Sequence, residues 1–282
     1  MRQALATALA ATVLAAAAAP AHAADDGMEE ASRFSLLVGG GASVQPLYEG
    51  SDEYRVAPFP IIAPSFGVSD GPRRFEFRAL DDVRVHLVHW GRLSLGPLAG
   101  YRFGRKESDA ARLLGLGDVD GGLVVGGFAD YAFVDTGDLR LGVDAALSSQ
   151  VTGDVFGNRP FALGTDYGFE ADFAVSVERR FGPALRTTAR AGAVFADDEY
   201  MRTAFGVNAA QAATSGLAPY RPDGGLKNAY MRLDATVNLT ERFELRAGVG
   251  YSRLVGDAAA SPITMSANQF SASLGAAYRF RF

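Results

Sequence analysis

The sequence predicts an all-β protein, a transmembrane antiparallel β-barrel of about twelve strands with both termini in the periplasm. Three observations carry that prediction. An export signal is followed by no helical span. Apolar and polar residues alternate for about ten residues at a time. The links between strands alternate between short and long, with the short link at 80–82 as the one exception.

The export signal comes first. Arg2 precedes the apolar run "ALATALAATVLAAAAAP", and "AHA" at Ala21–Ala23 is a small-x-small cleavage site. Residues 1–23 therefore read as a cleaved secretory signal peptide, 24–33 as an acidic periplasmic tail and 34–282 as the barrel. After residue 23 no apolar run approaches the ~20 residues that a spanning helix needs.

The strands follow in order. The first two, 34–44 and 56–67, flank an outer loop at 45–55. Pro58 and Pro60 lack the N–H that a ladder needs, which predicts a bulged or loop-like beginning to the second. Strands at 73–79, 83–89 and 92–103 come next. The sixth and seventh lie at 121–134 and 138–150, where Leu139, Leu141, Val143 and Leu147 oppose Arg140, Asp144 and Ser148. In 167–181, Phe169, Phe173, Val175 and Val177 oppose Glu170, Asp172, Ser176 and Glu178, and 184–196 follows. In 229–239, Met231, Leu233 and Val237 oppose Arg232, Asp234 and Asn238. In 242–255, Phe243, Leu245, Val249 and Tyr251 oppose Glu244 and Arg246.

The last strand, 268–282, turns Phe270, Leu274, Tyr278, Phe280 and Phe282 to one side, with Arg279 and Arg281 on the other. The rings suit lipid and the arginines a wet lumen or rim. Tyr278, Phe280 and Phe282 are the candidate signal read by the barrel-insertion machinery. The links "WG", "DTG", "GP" and "TE" are tight, as periplasmic turns are, whereas 104–120, 151–166, 197–228 and 256–267 are long. An even strand count then returns both termini to the periplasm.

Composition removes several function classes. The chain has no Cys, so thiolate chemistry is excluded. Its net charge of −5 offers nothing to neutralise nucleic-acid phosphates. No G-x-S-x-G elbow is present. His86 and His89, beside Trp90, read as interfacial or turn histidines near the periplasmic end, with no evident partner to make either a general base. "GLGDVDGG" sets Asp118 two residues before Asp120 but lacks the further oxygens of a calcium loop. No cofactor, metal or enzymatic activity is expected. The lumen charges are of both signs, which predicts a salt-bridged, largely filled interior rather than a one-sign selective pore.

Several stretches together resemble the MipA/OmpV family of outer-membrane proteins. They are "PLYEGSDEYRVAPFP" (46–60), "GPLAGYRFGR" (96–105), "GLGDVD" (115–120), "GGFADY" (126–131), "AFGV" (204–207), "SGLAPYRPDGGLK" (215–227) and "YSRLVGDAAASPI" (251–263). The motif residues singled out are Tyr48, Gly50, Ser51, Tyr54, Pro58, Pro60, Arg105, Gly117, Asp118, Asp257, Ser261 and Pro262. The resemblance gives them no catalytic role. It implies an outer-membrane barrel that acts as a scaffold between a lytic transglycosylase and a murein synthase. Porin-like and adhesin roles are the alternatives known in the family. Outer-membrane lipid is the remaining expected partner.

Overall fold

The computed structural model describes residues 34–66, 75–79, 81–152, 162–163 and 167–282. The signal peptide, the acidic tail and most of the loop 151–166 lie outside the described residues.

Fourteen antiparallel strands form one sheet. They are β1 (Phe34–Pro46), β2 (Tyr54–Phe66), β3 (Phe75–Ala79), β4 (Asp82–Val85), β5 (Val88–Trp90), β6 (Leu93–Arg102), β7 (Gly122–Thr136), β8 (Leu139–Thr152), β9 (Ala162–Leu163), β10 (Phe169–Phe181), β11 (Leu185–Ala196), β12 (Gly225–Asn238), β13 (Phe243–Leu254) and β14 (Asn268–Arg281). Twelve follow one another round the sheet as β2-β1-β14-β13-β12-β11-β10-β8-β7-β6-β4-β3, while β5 pairs with β6 and β9 with β8. The result is a nearly closed twelve-strand barrel. Chain start and chain end meet in an unbroken ladder running from Ser35 opposite Arg281 to Val44 opposite Ala272.

The predicted fourth strand arrives in two pieces. Arg84 sits opposite Leu98, yet Val88 sits opposite Leu95, so the β4–β5 side carries one extra residue. That bulge turns His86 into the lumen and leaves Leu87, Val88 and Trp90 outside. At the periplasmic end the turns are tight. Gly182 adopts a φ of 63°, which a residue with a Cβ rarely tolerates.

The alternation resolves as the sequence predicts. Val143, Leu147, Val175, Leu233, Val249 and Leu274 are 40 to 54% exposed and form an outward apolar belt. Their neighbours Asp144, Glu170, Glu178 and Glu244 are buried inside. Rings rim the belt, with Trp90, Phe181, Phe243, Tyr278 and Phe280 towards the turns and Tyr54, Phe195, Tyr251 and Phe270 towards the loops. Such a surface is stable only against lipid, and the sheet keeps its ladder bonds inside itself. No described helix is long and apolar enough to cross a membrane; strands do the crossing.

One sector of the lumen is apolar. Leu37, Ile61 and Ala277 are buried together, with Phe59 and Ala63 against them. Gly41 and Gly275 make the room: a Cβ on Gly41 would lie 2.6 Å from the Phe59 ring, and one on Gly275 would lie 3.0 Å from Ile61 Cδ1.

Candidate functional site

The outer loops fold into a cap. α1 (Asp198–Phe205) is N-capped by Asp197, whose side chain accepts from Tyr200 N. α2 (Ala209–Ser215) starts with a capping box between Asn208 and Gln211. Tyr200, Met201 and Phe205 of α1 pack on Leu254 and on Ala258 of α3 (Gly256–Ala260). A second cluster joins Tyr48, Leu113, Leu116, Val207 and Ile263 from four different loops.

Most of the family-motif residues meet in this cap. Tyr48 donates to the Ile263 carbonyl at 3.2 Å. Gly50, at a φ of 94°, accepts from Met265 N at 2.7 Å and Ser266 N at 2.9 Å through its carbonyl. Ser51 is buried, and its hydroxyl accepts from Glu53 N at 3.0 Å. Arg105 donates to the carbonyls of Ala204 and Thr203 at the end of α1. Ser261 donates to Phe205 O at 2.6 Å, and Pro262 O accepts from Arg112 Nε at 2.7 Å. The Asp257 carbonyl accepts from Tyr220 OH at 3.0 Å, and its carboxylate accepts from Asp223 N at 2.9 Å. Asp118 accepts from Glu107 N at 2.8 Å, while Gly117 N donates to Glu107 Oε2 at 3.2 Å, so this stretch closes its own loop. Tyr54 stands apart on the outer surface, where its hydroxyl accepts from Phe270 N at 3.3 Å. Pro58 and Pro60 lie in β2, opposite Ala42 and Gly40.

Beneath the cap an ionic cluster reaches across the lumen. Lys227 Nζ reaches Glu49 Oε1 at 2.6 Å and also pairs with Glu170. Arg102 holds the other oxygen of Glu170. Tyr200, hanging from α1, donates to Glu49 Oε2 at 2.8 Å and accepts from Lys227 at 3.2 Å. Burial pushes the Tyr200 phenol far above its ordinary range, so it stays protonated as that donor. Lys227 also lies 4.6 Å from the Tyr200 ring centre. A cavity of about 450 Å³ lies under the cap and one of about 510 Å³ below, and Glu49 and Arg102 of this cluster line both, as do Tyr230 and Arg232.

The lower cavity is walled by a second network. The Asp144 side chain, fully buried, accepts from Arg78 and Arg84, each at 2.9 Å, and pairs with Arg190. Arg84 also grips Asp82 at 2.8 Å. Arg190 donates to Tyr230 OH at 3.0 Å, and Tyr230 donates to Asp172 at 2.9 Å. Nearer the turns, Glu244 binds Arg246 at 2.6 Å and Arg279 at 3.2 Å, while Arg281 reaches Glu241 at 3.0 Å. Arg279 thus faces the lumen and Arg281 the rim, opposite the rings of Tyr278, Phe280 and Phe282, as the alternation predicts.

His86 departs from the sequence reading. It is buried in the lumen, with Nδ1 2.7 Å from Ser94 Oγ and Nε2 3.3 Å from Glu76 Oε2. The β4–β5 bulge, invisible to a period count, turns the ring inward to meet Ser94 of β6 and Glu76 of β3. Phe128 packs edge-on to the ring at 4.8 Å, and neither His86 nor Ser94 lines either large cavity. Glu76, the carboxylate of this serine–histidine–carboxylate chain, does line the lower cavity. Among the described residues no cluster of His, Cys, Asp and Glu suits a metal ion.

A nearly closed sheet with an outward apolar belt, aromatic rims and a polar, ion-paired interior defines a transmembrane β-barrel of the bacterial outer membrane. Within that class, the chain belongs to the family described as MltA-interacting protein MipA, whose model matches residues 38–280. No curated protein is a significant match. Among solved structures it is similar to the NanC porin, with 10% identity, 86% of this chain and 98% of that chain covered and a TM-score of 0.42. An outer membrane channel from Pseudomonas putida F1 has 12% identity, 92% and 100% coverage and a TM-score of 0.42. The CymD monoaromatic hydrocarbon channel has 11% identity, 90% and 89% coverage and a TM-score of 0.34.

Proposed function

We propose that this chain is a non-enzymatic outer-membrane scaffold that holds a lytic transglycosylase, and with it a murein synthase, against the inner face of the membrane. The observation that carries this reading is the ionic cluster across the lumen. A channel needs a continuous wet path, whereas Glu49, Lys227, Glu170, Arg102 and Tyr200 satisfy one another across the bore. A barrel that conducts little serves as an anchor, and the family name supplies the partner class. A periplasmic enzyme could reach only the tight turns, the inner rim and the acidic tail at 24–33.

The test is affinity capture of the tagged mature barrel from native outer membranes, read by mass spectrometry. A stoichiometric murein hydrolase or synthase supports the scaffold; a clean barrel overturns it. The second reading is a small-solute channel, favoured by the two cavities that this cluster lines. Single-channel conductance of the same preparation decides that one.

A further inference from the structure

We infer that the barrel wall has a lateral port between β2 and β6, through which a single-chain anionic amphiphile, with a carboxylate head on Arg55, enters the cavity under the cap from the outer leaflet.

The port follows from strand lengths. β2 has 13 residues and β6 has 10, but the hairpin between them, β3 with 5 and β4 with 4, turns back at Asp81. The highest described β4–β6 pair is Val83 opposite Ala99. Asp82, the first residue of β4, continues that register opposite Gly100; above it, among the described residues, Tyr101 and Arg102 of β6 have no strand on that side and β2 pairs only with β1. The wall there is closed by side chains rather than by a ladder.

The prolines fit this edge. Pro58, Pro60 and Pro64 sit in unbroken register with β1, opposite Ala42, Gly40 and Leu36. All three have the same parity, so each missing N–H points away from β1, towards the side without a ladder. A free strand edge in hydrocarbon would leave unsatisfied donors; the prolines remove three of the seven on this edge, leaving those of Tyr54, Val56, Ile62 and Phe66. The sequence thus builds the edge to remain unpaired.

Side chains of opposite facing meet across the gap. Arg55 shares the lumen-facing parity of Ala57, Phe59 and Ile61, whereas Phe103 continues the outward parity of Tyr101. Yet the Arg55 guanidinium lies 4.4 Å from the Phe103 ring centre. An inward residue can touch an outward one only where the wall between them is missing. The capped cavity of about 450 Å³ reaches Pro46 and Arg55 on one rim, Tyr101 and Phe103 on the other, and Asp81 at the sill. A smaller cavity of about 150 Å³ joins the outward Pro58 and Phe103 to Arg78 and Arg232 inside.

Charge selects the occupant. Most described lumen cations are tied to carboxylates, but among the described residues Arg55 has no ion pair, and its Nε is shielded from water with no hydrogen-bond partner among them; Asp109 is the carboxylate whose charge reaches it. An anionic head would satisfy it, and the acyl chain would lie in the port against Pro58, Tyr101 and Phe103. The site needs only the port and the capped cavity, so binding does not require passage through the barrel. The inference therefore stands whether or not the scaffold reading does.

The experiment uses the full mature barrel in phosphatidylcholine nanodiscs and dodecanoate carrying a chain diazirine, with photolabelled residues mapped by mass spectrometry. Labelling is expected at Pro58, Tyr101 and Phe103, displaced by excess dodecanoate and not by dodecyltrimethylammonium. Arg55→Gln should weaken labelling about tenfold, the loss of one charge-assisted pair, while Arg55→Lys retains it. Labels spread evenly round the belt at Val143, Val175 and Leu233, or equal displacement by the cation, would overturn the site. The competition arm decides on the native protein even if the Arg55 variants fail to fold.

Discussion

Asp144 holds three guanidinium groups with one carboxylate, deep in the lumen. Removing one side of a buried ionic network costs about 3–5 kcal/mol, because the opposite charges are left unpaired. Asp144→Asn should therefore lower the denaturant midpoint of the folded barrel strongly. Asp135→Asn, whose carboxylate is half-exposed, should shift it by no more than about 0.5 kcal/mol. Asp198 gives a pH prediction in the cap. Its carboxyl lies below the usual range because it accepts Gly224 N–H and then because Arg202 binds it. A depressed folded value means the stabilisation is complete above the ordinary carboxylate range and is lost as pH falls through the folded value. Limited proteolysis of the 197–224 segment should speed up on acidification, and Asp198→Asn should flatten that dependence. Single residues were the least legible scale. The sequence marks Asp144 as lumen-facing, but nothing in it says that Arg78, Arg84 and Arg190 converge on it from three strands. Lys227 was likewise missed as a bore-closing residue, because its partners Glu49 and Glu170 come from distant segments and only closure of the sheet brings them together.

The strands themselves were legible, because burial on one face imposes a period of two and the tight links locate their ends. β14 carries the clearest consequence. Arg279 and Arg281 fix its facing through Glu244 and Glu241. Replacing both with Leu leaves the strand apolar on both faces and should lower assembly yield, read as the folded fraction in heat-modifiable mobility. We propose that Tyr278, Phe280 and Phe282 form the insertion signal, and truncating Phe282 should reduce outer-membrane levels; normal levels would refute it. β2 was read only in part. Two prolines predict a distorted beginning, whereas the strand is regular from Tyr54 to Phe66. The missing reason is the neighbour: a proline spoils a strand only on an edge that pairs, and among the described residues the short β3–β4 hairpin forms no ladder with this edge.

At the scale of the whole molecule, the barrel is a bore crossed midway by one ionic cluster and roofed by loops that share two apolar cores. Conductance of the native barrel in planar bilayers should be close to the leak level. The double variant Tyr200→Ala, Lys227→Ala removes the cross-piece and leaves Glu49 and Glu170 charged, so it should open a cation-favouring path. A native barrel that already conducts freely would contradict a blocking role for the cluster. Closure itself was legible from the even strand count and the alternating links. The cap was not, because loop residues carry no period. Its family-motif residues emerge as cross-loop ties only once Tyr48, Arg105 and Ser261 are seen donating to backbone carbonyls of other loops.

The ladder between β1 and β14 also sets a clock. Its partners come from opposite ends of the described chain, so the final seam is the most non-local contact in the fold and the slowest to form. Until β14 is delivered, β1 waits with a bare edge running its full length, the template on which misfolded chains stack. The same barrel that is locked once complete is therefore most vulnerable in its last step. The time it spends half-built, rather than the strength of any pair within it, decides how much reaches the membrane.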